Sequence, residues 1–517
     1  MRPLALSVAA GALLLLAFPP VSWWWTAPAG VAAQLAAVRG LGLRRAWAVT
    51  LLGQLVLFLP LLEWTRFLGV GPWLALAVLQ AAIGALLGPL AVLVGRVGPP
   101  RQDPSHAARR VRALLLASGT VGAVLAVEAL RARLPFGGLT WGRLAFGQSD
   151  GPLLGWAAWG GAPAVSAAVA LTGVGLLALL RGLPTAGAGG PTAGRPTSVV
   201  AATGVLAAVA VGGALVPTPT DGTPVRVAAV QGNVPGQGLD AFAEDLVVLD
   251  NHLAATRLLA GQVAAGQVPA PELVIWPENA SDQDPRSQLD ARQRLDAAVQ
   301  ALDGRPLLLG AVLRDGPTTS NALLSWGPGG VQGPVYRKRH LVPFGEYLPL
   351  RGLVERVYPS AGSLLPQDFA PGRRVGRVDL AGVPLAVGTC FEVAFDDLPR
   401  EAVRAGGQLL VLPSNNASYG RSAQSAQQLA MARVRAVEHG RSTVVATTSG
   451  ISALIRPDGE VVARSGLYEQ AVLSADLPRR SGLTFATRHG QLVEALLVAM
   501  VLAPVLVRAR GRRSPRR

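Results

Sequence analysis

Three side chains in this 517-residue chain could together run covalent acyl chemistry. Cys390, in Gly388-Thr389-Cys390-Phe391-Glu392, is the only cysteine. Lys338, in Tyr336-Arg337-Lys338-Arg339-His340-Leu341, is the only lysine beside 46 arginines, and Glu278 stands in Trp276-Pro277-Glu278-Asn279. Such chemistry needs a thiol, a carboxylate that takes and returns its proton, and an ammonium that steadies thiolate and oxyanion. A free thiol with a pKa of about 8.5 is mostly protonated at neutral pH and depends on such neighbours. Each residue alone has a plainer reading. A lone cysteine is a good small core hydrophobe, a carboxylate after a buried strand is often a solvated end, and a lysine in a basic run is usually surface charge. Arginine, however, cannot replace lysine where a compact charge or a proton donor is required. One cysteine excludes an intramolecular disulfide framework and a multi-cysteine zinc site, and neither a metal nor a cofactor is expected.

All three candidates stand at the edges of strand-like runs. Val225 to Val230, Leu273 to Trp276, Leu307 to Val312, Val383 to Val387, Leu409 to Leu412 and Val444 to Thr447 read as buried strands. Asp458-Gly459 between Ile451–Ile455 and Val461–Ala463 signals a hairpin. Helical patterns cover 239–264, 284–302, 395–405 and 422–439. About 250 residues of this kind make an α/β domain of layered sheets with helices outside, with expected limits 225–480.

The remainder is membrane-like. Half of the residues are hydrophobic, only 15% are charged and mean hydropathy is +0.38, too apolar for one soluble domain. The net charge of +16 does not point to nucleic acid, because many arginines separate apolar stretches instead of clustering with aromatics on a face. Seven apolar stretches, near 3–19, 22–38, 46–64, 67–95, 111–130, 152–180 and 198–216, are each expected to cross a bilayer. Nine of eleven tryptophans fall in this region, with Trp23, Trp24 and Trp25 at an expected membrane boundary. The predicted layout is a seven-helix domain 1–216, a linker 217–224, the α/β domain, an eighth apolar helix 490–507 and a basic tail 508–517. Arg39, Arg44, Arg45, Arg96, Arg101, Arg109, Arg110 and Arg112 load alternate loops, and six arginines fill the tail. The positive-inside rule then places both termini in the cytoplasm and the α/β domain outside it. Reading 67–95 as two passes would invert that result. The loop 131–151, with Pro135-Phe136-Gly137-Gly138 and Trp141, is apolar enough to dip back into the interface.

Glu278, Lys338 and Cys390, in this order and at these separations, resemble the catalytic residues of the nitrilase superfamily. Val230-Gln231-Gly232-Asn233-Val234-Pro235, the run Leu341-Val342-Pro343-Phe344-Gly345-Glu346-Tyr347-Leu348-Pro349 and the flanking apolar helices make nearly the whole chain similar to the apolipoprotein N-acyltransferase family. The resemblance implies a polytopic α-helical membrane domain plus an α-β-β-α sandwich on the periplasmic side of the bacterial inner membrane. It also implies a two-step transfer: Cys390 takes an acyl chain from a membrane phospholipid, typically the sn-1 chain of phosphatidylethanolamine, and the α-amine of a diacylglyceryl-cysteine on an apolipoprotein receives it. Glu278 is then the base and later the acid, Lys338 stabilises the oxyanion, Glu346 holds Lys338, and Glu392 matches a further essential position.

Three departures from that family stand out: Phe391 where Tyr is usual after the cysteine, Asn279 where a small hydroxyl residue is common, and no aromatic in Gly236–Ala241, with Phe242 the nearest substitute. Residues 348–365 read as a mobile apolar arm, with Leu353 and Val354, beside Phe344 and Tyr347, as expected lipid contacts. A thioester that must reach an amine needs a dry site open sideways to lipid. Two other functions fit the same residues: a membrane-tethered nitrilase-like amidase, and a non-enzymatic lipid or lipoprotein scaffold. A transporter fits less well, since Glu63 and Glu128 near helix ends are the only intramembrane charges that stand out.

Overall fold

The computed structural model describes residues 1–97, 106–182, 195–234, 236 and 246–507, and the chain divides into two compact units, Met1–Pro217 with His489–Arg517, and Thr218–Arg488. The expected basic tail 508–517, most of residues 181–197, which the composition in Gly, Pro, Thr and Ala marks as a flexible linker, and the stretch containing Phe242 lie outside the described residues.

The first unit contains α1 (Arg2–Leu16), α2 (Thr26–Ala37), α3 (Leu43–Leu61), α4 (Val70–Gly84), α5 (Leu87–Val97), α6 (His106–Arg131), α7 (Trp156–Gly182) and α8 (Arg195–Leu215). Among the described residues, four spans are long and apolar enough to cross a membrane: Val70–Arg96, Val111–Arg131, Trp156–Arg181 and Phe485–Val507. The helices on the first two expected stretches are shorter than the stretches themselves. α1 has 15 residues and α2 only 12, about 22 and 18 Å of helix. The chain between them, around Pro19-Pro20 and the tryptophan run, is not helical, and prolines cannot donate to a continuing helix ladder. The 67–95 stretch is one bent span, since Ala85 between α4 and α5 stays right-handed helical at φ −65°, ψ −17°.

Small and polar residues knit these helices. A side chain at Gly11 would come within 2.1 Å of Gly53 O, and Ser7 Oγ donates to Gln34 Oε1 (3.1 Å), as expected where apolar burial alone does not drive association. The loop after α6 is internal: residues 138–149 are buried. Arg131 donates to Gln80 Oε1 (2.8 Å) and Trp141 O, and Glu128 Oε1 accepts from Leu144 N (2.8 Å) with Arg143 3.8 Å away.

The second unit holds β1 (Thr223–Gln231), α9 (Val247–Ala264), β2 (Leu273–Ile275), α10 (Leu289–Ala301), β3 (Leu307–Asp315), β4 (Thr318–Gly327), β5 (Gly330–Arg337), α11 (Arg351–Val357), α12 (Ser360–Leu364), β6 (Arg377–Leu380), β7 (Val383–Val387), α13 (Asp397–Arg404), β8 (Leu409–Ser414), α14 (Gln424–His439), β9 (Thr443–Thr447), β10 (Ala453–Ile455), β11 (Val461–Arg464) and β12 (Ala471–Arg479). α15 (Phe485–Ala499) begins at its end, five residues before the expected start of the last apolar helix. Two six-stranded sheets form, in the orders β12-β1-β2-β3-β4-β5 and β11-β10-β9-β8-β7-β6.

Period-two side-chain alternation explains the layering. Val225, Val227 and Ala229 enter the core between the sheets with Leu273, Ile275, Leu385, Val387, Val411 and Val444. Ala228 and Val230, on the other face of β1, pack with Val274, Leu249, Leu253 and Leu295 under α9 and α10. α13 and α14 lie against β7 and β9 of the second sheet. The result is an α-β-β-α sandwich whose central strands are apolar on both faces. Sequence patterning misses β4, β5, β6 and β12. β5 contains Pro334 and two glycines, which a strand tolerates at a sheet edge, where β5 lies.

Candidate active site

Cys390 follows β7 in a tight turn. Gly388 N bonds to Val411 O of the neighbouring strand (3.2 Å), and a single helical turn then runs from Cys390 to Ala394. Thr389 and Glu392 cap it reciprocally, each side chain meeting the other's backbone N–H. Cys390 itself has φ +46° and is 4% exposed. A left-handed conformation at a non-glycine residue is strained and persists only where its surroundings impose it.

Glu392 supplies much of that imposition. Fully buried, its carboxylate accepts from Thr389 N (2.7 Å) and Thr389 Oγ1 (3.1 Å) on the cysteine side. It also accepts from Tyr336 Oη (2.9 and 2.8 Å), Arg339 N (2.8 Å) and His340 N (3.0 Å) on the lysine side. One carboxylate thus ties the turn bearing Cys390 to the segment bearing Lys338. Burial, reinforced by Glu392, raises the Tyr336 phenol well above its usual range and keeps it a donor.

Lys338 leaves the end of β5 and is 2% exposed. Its Nζ donates to Glu278 Oε1 and to Glu346 Oε1, both at 2.9 Å. Asn321 of β4 donates its Nδ2 to the same two oxygens (2.6 and 2.9 Å), Asn415 N donates to Glu278 Oε2 (2.8 Å), and Val342 N to Glu346 Oε2 (2.8 Å). Glu278 is positioned by a close backbone crossing. A Cβ on Gly310 would lie 2.4 Å from Glu278 Cα, so β3 admits only glycine there. Asn279, next in the chain, has φ +52°, a conformation asparagine tolerates better than most residues.

The electrostatics follow from one cation facing two acids in a dry pocket. Burial would lower the Lys338 pKa, but Glu278 and Glu346 outweigh it and raise it well above normal. For Cys390, burial is the main upward push, Glu278 adds to it, and Lys338 only partly offsets both, so the thiol is held protonated at rest. The cluster therefore does not hold a ready thiolate. It can take a proton from sulfur as the sulfur attacks and offer an ammonium to the charge that develops.

The structure brings Glu278, Lys338 and Glu346 into direct contact and sets Cys390 within their electrostatic reach. Glu392 lies behind them, bonded to the two flanking segments. Phe391 is buried edge-on against Phe395 (5.0 Å), which stacks on His340 (3.8 Å). The arm residues divide. Leu353 is 57% exposed, while Val354 turns inward onto Leu348, Ala361 and Leu365, so Val354 belongs to the arm's own small core. Phe344 is exposed at φ +63°, and Tyr347 is partly buried beside it. Sequence reasoning missed Asn321, Asn415 and Gly310.

The family model for the apolipoprotein N-acyltransferase N-terminal domain matches residues 10–175, and the carbon-nitrogen hydrolase model matches 226–483. Proteins named apolipoprotein N-acyltransferase resemble the full chain. The one from Mycolicibacterium smegmatis is 39% identical over 99% of this chain and 86% of its own, and that from Pseudomonas putida is 29% identical over 98% and 96%. Among solved structures, a mutant of the Nesterenkonia AN1 amidase from the nitrilase superfamily is similar at 20% identity and a TM-score of 0.39, covering 55% of this chain and 99% of that one. The two models in tandem, and a relative 39% identical from end to end, place this chain in the apolipoprotein N-acyltransferase family.

Proposed function

We propose that the protein moves an acyl chain from a membrane phospholipid, through a thioester on Cys390, to the α-amine of a diacylglyceryl-cysteine at the start of an apolipoprotein. The observation that carries this reading is the contact of Lys338 Nζ with both Glu278 and Glu346 beside the chain's one thiol, in a member of this family. In the first step Glu278 takes the thiol proton as sulfur attacks the ester carbonyl. The oxyanion forms against Lys338, and its collapse expels the lysophospholipid alkoxide, which leaves with the proton from Glu278. In the second step the acceptor amine attacks the thioester while Glu278 takes one of its protons. Sulfur departs and recovers that proton, leaving an amide. Glu346 keeps a negative charge beside Lys338 while Glu278 is protonated, so the ammonium holds its proton throughout.

The arginine distribution supports a multi-pass protein of the bacterial inner membrane with both termini cytoplasmic and the catalytic unit outside, with limits near 225–480. Purified protein mixed with phospholipid, followed by mass spectrometry and then by addition of a diacylated peptide, tests the function. An acyl mass on Cys390 that is lost as N-acylated peptide appears supports it. Loss of that mass as free fatty acid favours the amidase, and no acyl mass at all favours the scaffold.

The arm is the proposed lipid contact, through its outward residues Leu350, Leu353 and Val357, which are 64, 57 and 78% exposed. Leu353→Ser with Val357→Ser is expected to lower turnover of phospholipid in vesicles about tenfold, as buried apolar area on that scale implies, while sparing a soluble short-chain ester. Equal losses on both substrates would sink the arm.

A further inference from the structure

Against the turn that begins at Cys390, α14 carries part of a buried amide network that the acyl-transfer chemistry above does not use. Asn416, after β8, donates its Nδ2 to Gln424 Oε1 (2.6 Å) and to Gln428 Oε1 (2.7 Å), both on α14. Its own Oδ1 has no hydrogen-bond partner among the described residues, so both of its donors are committed to the glutamines. Ser414 Oγ donates to Leu412 O (3.4 Å) and is therefore an acceptor toward Gln428 Nε2 (3.2 Å). These contacts orient one amide. Gln428 Oε1 is held by Asn416 and Nε2 by Ser414, α14 packs on the single turn that begins at Cys390, and hydrogen bonding from the Gln428 side chain pulls the thiol pKa down against the larger upward push of burial. Gln428, Asn416 and Ser414 are 3, 3 and 1% exposed.

We infer that Gln428 is a further catalytic residue, an N–H donor to the Cys390 sulfur whose direction is set by Asn416 and Ser414. The inference rests on the reading of Cys390 as nucleophile. The need for such a donor follows from the occupancy of the rest of the pocket. Lys338 is divided between Glu278 and Glu346 and is claimed by the oxyanion during reaction, which leaves sulfur without a charged partner of its own. Sulfur carries negative charge twice, as it attacks the ester and as it departs from the thioester. Hydrogen bonds to charged groups are stronger than neutral ones and act without moving a proton. A neutral amide also adds no charge to a pocket that already holds two acids and one ammonium.

Gln428→Met and Gln428→Glu, both close to the native volume, separate donation from packing. Because Cys390 is the only cysteine, alkylation of the full-length protein in detergent by iodoacetamide reports it alone. If Gln428 donates, Gln428→Met slows both alkylation at a fixed neutral pH and acylation by phospholipid about ten- to hundredfold. The alkylation midpoint then moves to higher pH, and further still in Gln428→Glu, which puts a carboxylate against sulfur. Melting temperature, measured alongside, confirms that the variants are folded. Folded variants with the wild-type alkylation profile overturn the inference. If the wild-type protein shows no acyl mass on Cys390, it is the proposed function that fails, while the alkylation profiles still decide whether the amide donates to sulfur.

Discussion

Glu278→Gln is expected to slow acylation of Cys390 by about 10²- to 10⁴-fold, the range for loss of a general base, while making the same thiol easier to alkylate. The two effects have opposite signs because Glu278 acts on Cys390 in two ways. As an acceptor it removes the thiol proton during attack. As a negative charge it raises the thiol pKa at rest, adding to the effect of burial. Glutamine keeps the shape and can accept at one oxygen, from Lys338 or from Asn415 N, while its NH2 faces the other donor, and it takes no proton and carries no charge. The alkylation midpoint therefore moves to lower pH as enzymatic acylation falls. Rates of iodoacetamide modification across pH, set beside acyl-enzyme formation by mass spectrometry, check this. A parallel fall in both, with the fold intact, would remove Glu278 from the role of base. Lys338 keeps Glu346 as a partner in the variant, so the melting temperature stays within a few degrees of wild type, about what 1 kcal/mol produces.

Glu392→Ala is expected to abolish activity by a different route, together with stability. The substitution strips the acceptor from the backbone N–H groups of Thr389, Arg339 and His340 and from the Tyr336 hydroxyl, all held at 3.0 Å or less. Each buried donor left without a partner costs about 1–3 kcal/mol, so a loss on the order of 3–6 kcal/mol and a melting temperature lower by roughly 10 °C follow. Glu392→Gln retains some acceptors but turns an NH2 group toward donors, and is intermediate. The diagnostic is the pairing of readouts. Glu278→Gln loses rate at nearly constant stability, whereas Glu392→Gln loses rate and stability together. A Glu392→Gln protein as heat-stable as wild type but inactive would place Glu392 in contact with the reaction itself.

The case of Glu392 also marks the border of sequence reading. Its position two residues after the thiol was legible, and so was its importance. Its partners were not, because Tyr336, Arg339 and His340 are separated from it by 56, 53 and 52 residues and meet it only once the turn after β7 faces the end of β5. The arm gives a second instance. Leu353 and Val354 are neighbours of equal apolar character, and only the short helix α11 decides that one faces out and the other in. The first two apolar stretches give a third, since hydropathy measured their length while Pro19-Pro20 and the residues after it cut the helices.

By itself the sequence determined which functional groups exist and which segments are strands or apolar helices, because side-chain identity and apolar periodicity are local properties. One thiol, one ammonium and carboxylates at strand edges are visible without any fold. The tertiary structure alone decided what those groups touch: Asn321, 43 residues from Glu278, Asn415, 137 residues from it, and Gly310, whose missing side chain lets β3 cross beneath it. The reason is one of range. A pocket of 2.6 to 2.9 Å hydrogen bonds is set by sheet register and by backbones approaching across the chain, and neither has a signature in any single window of residues.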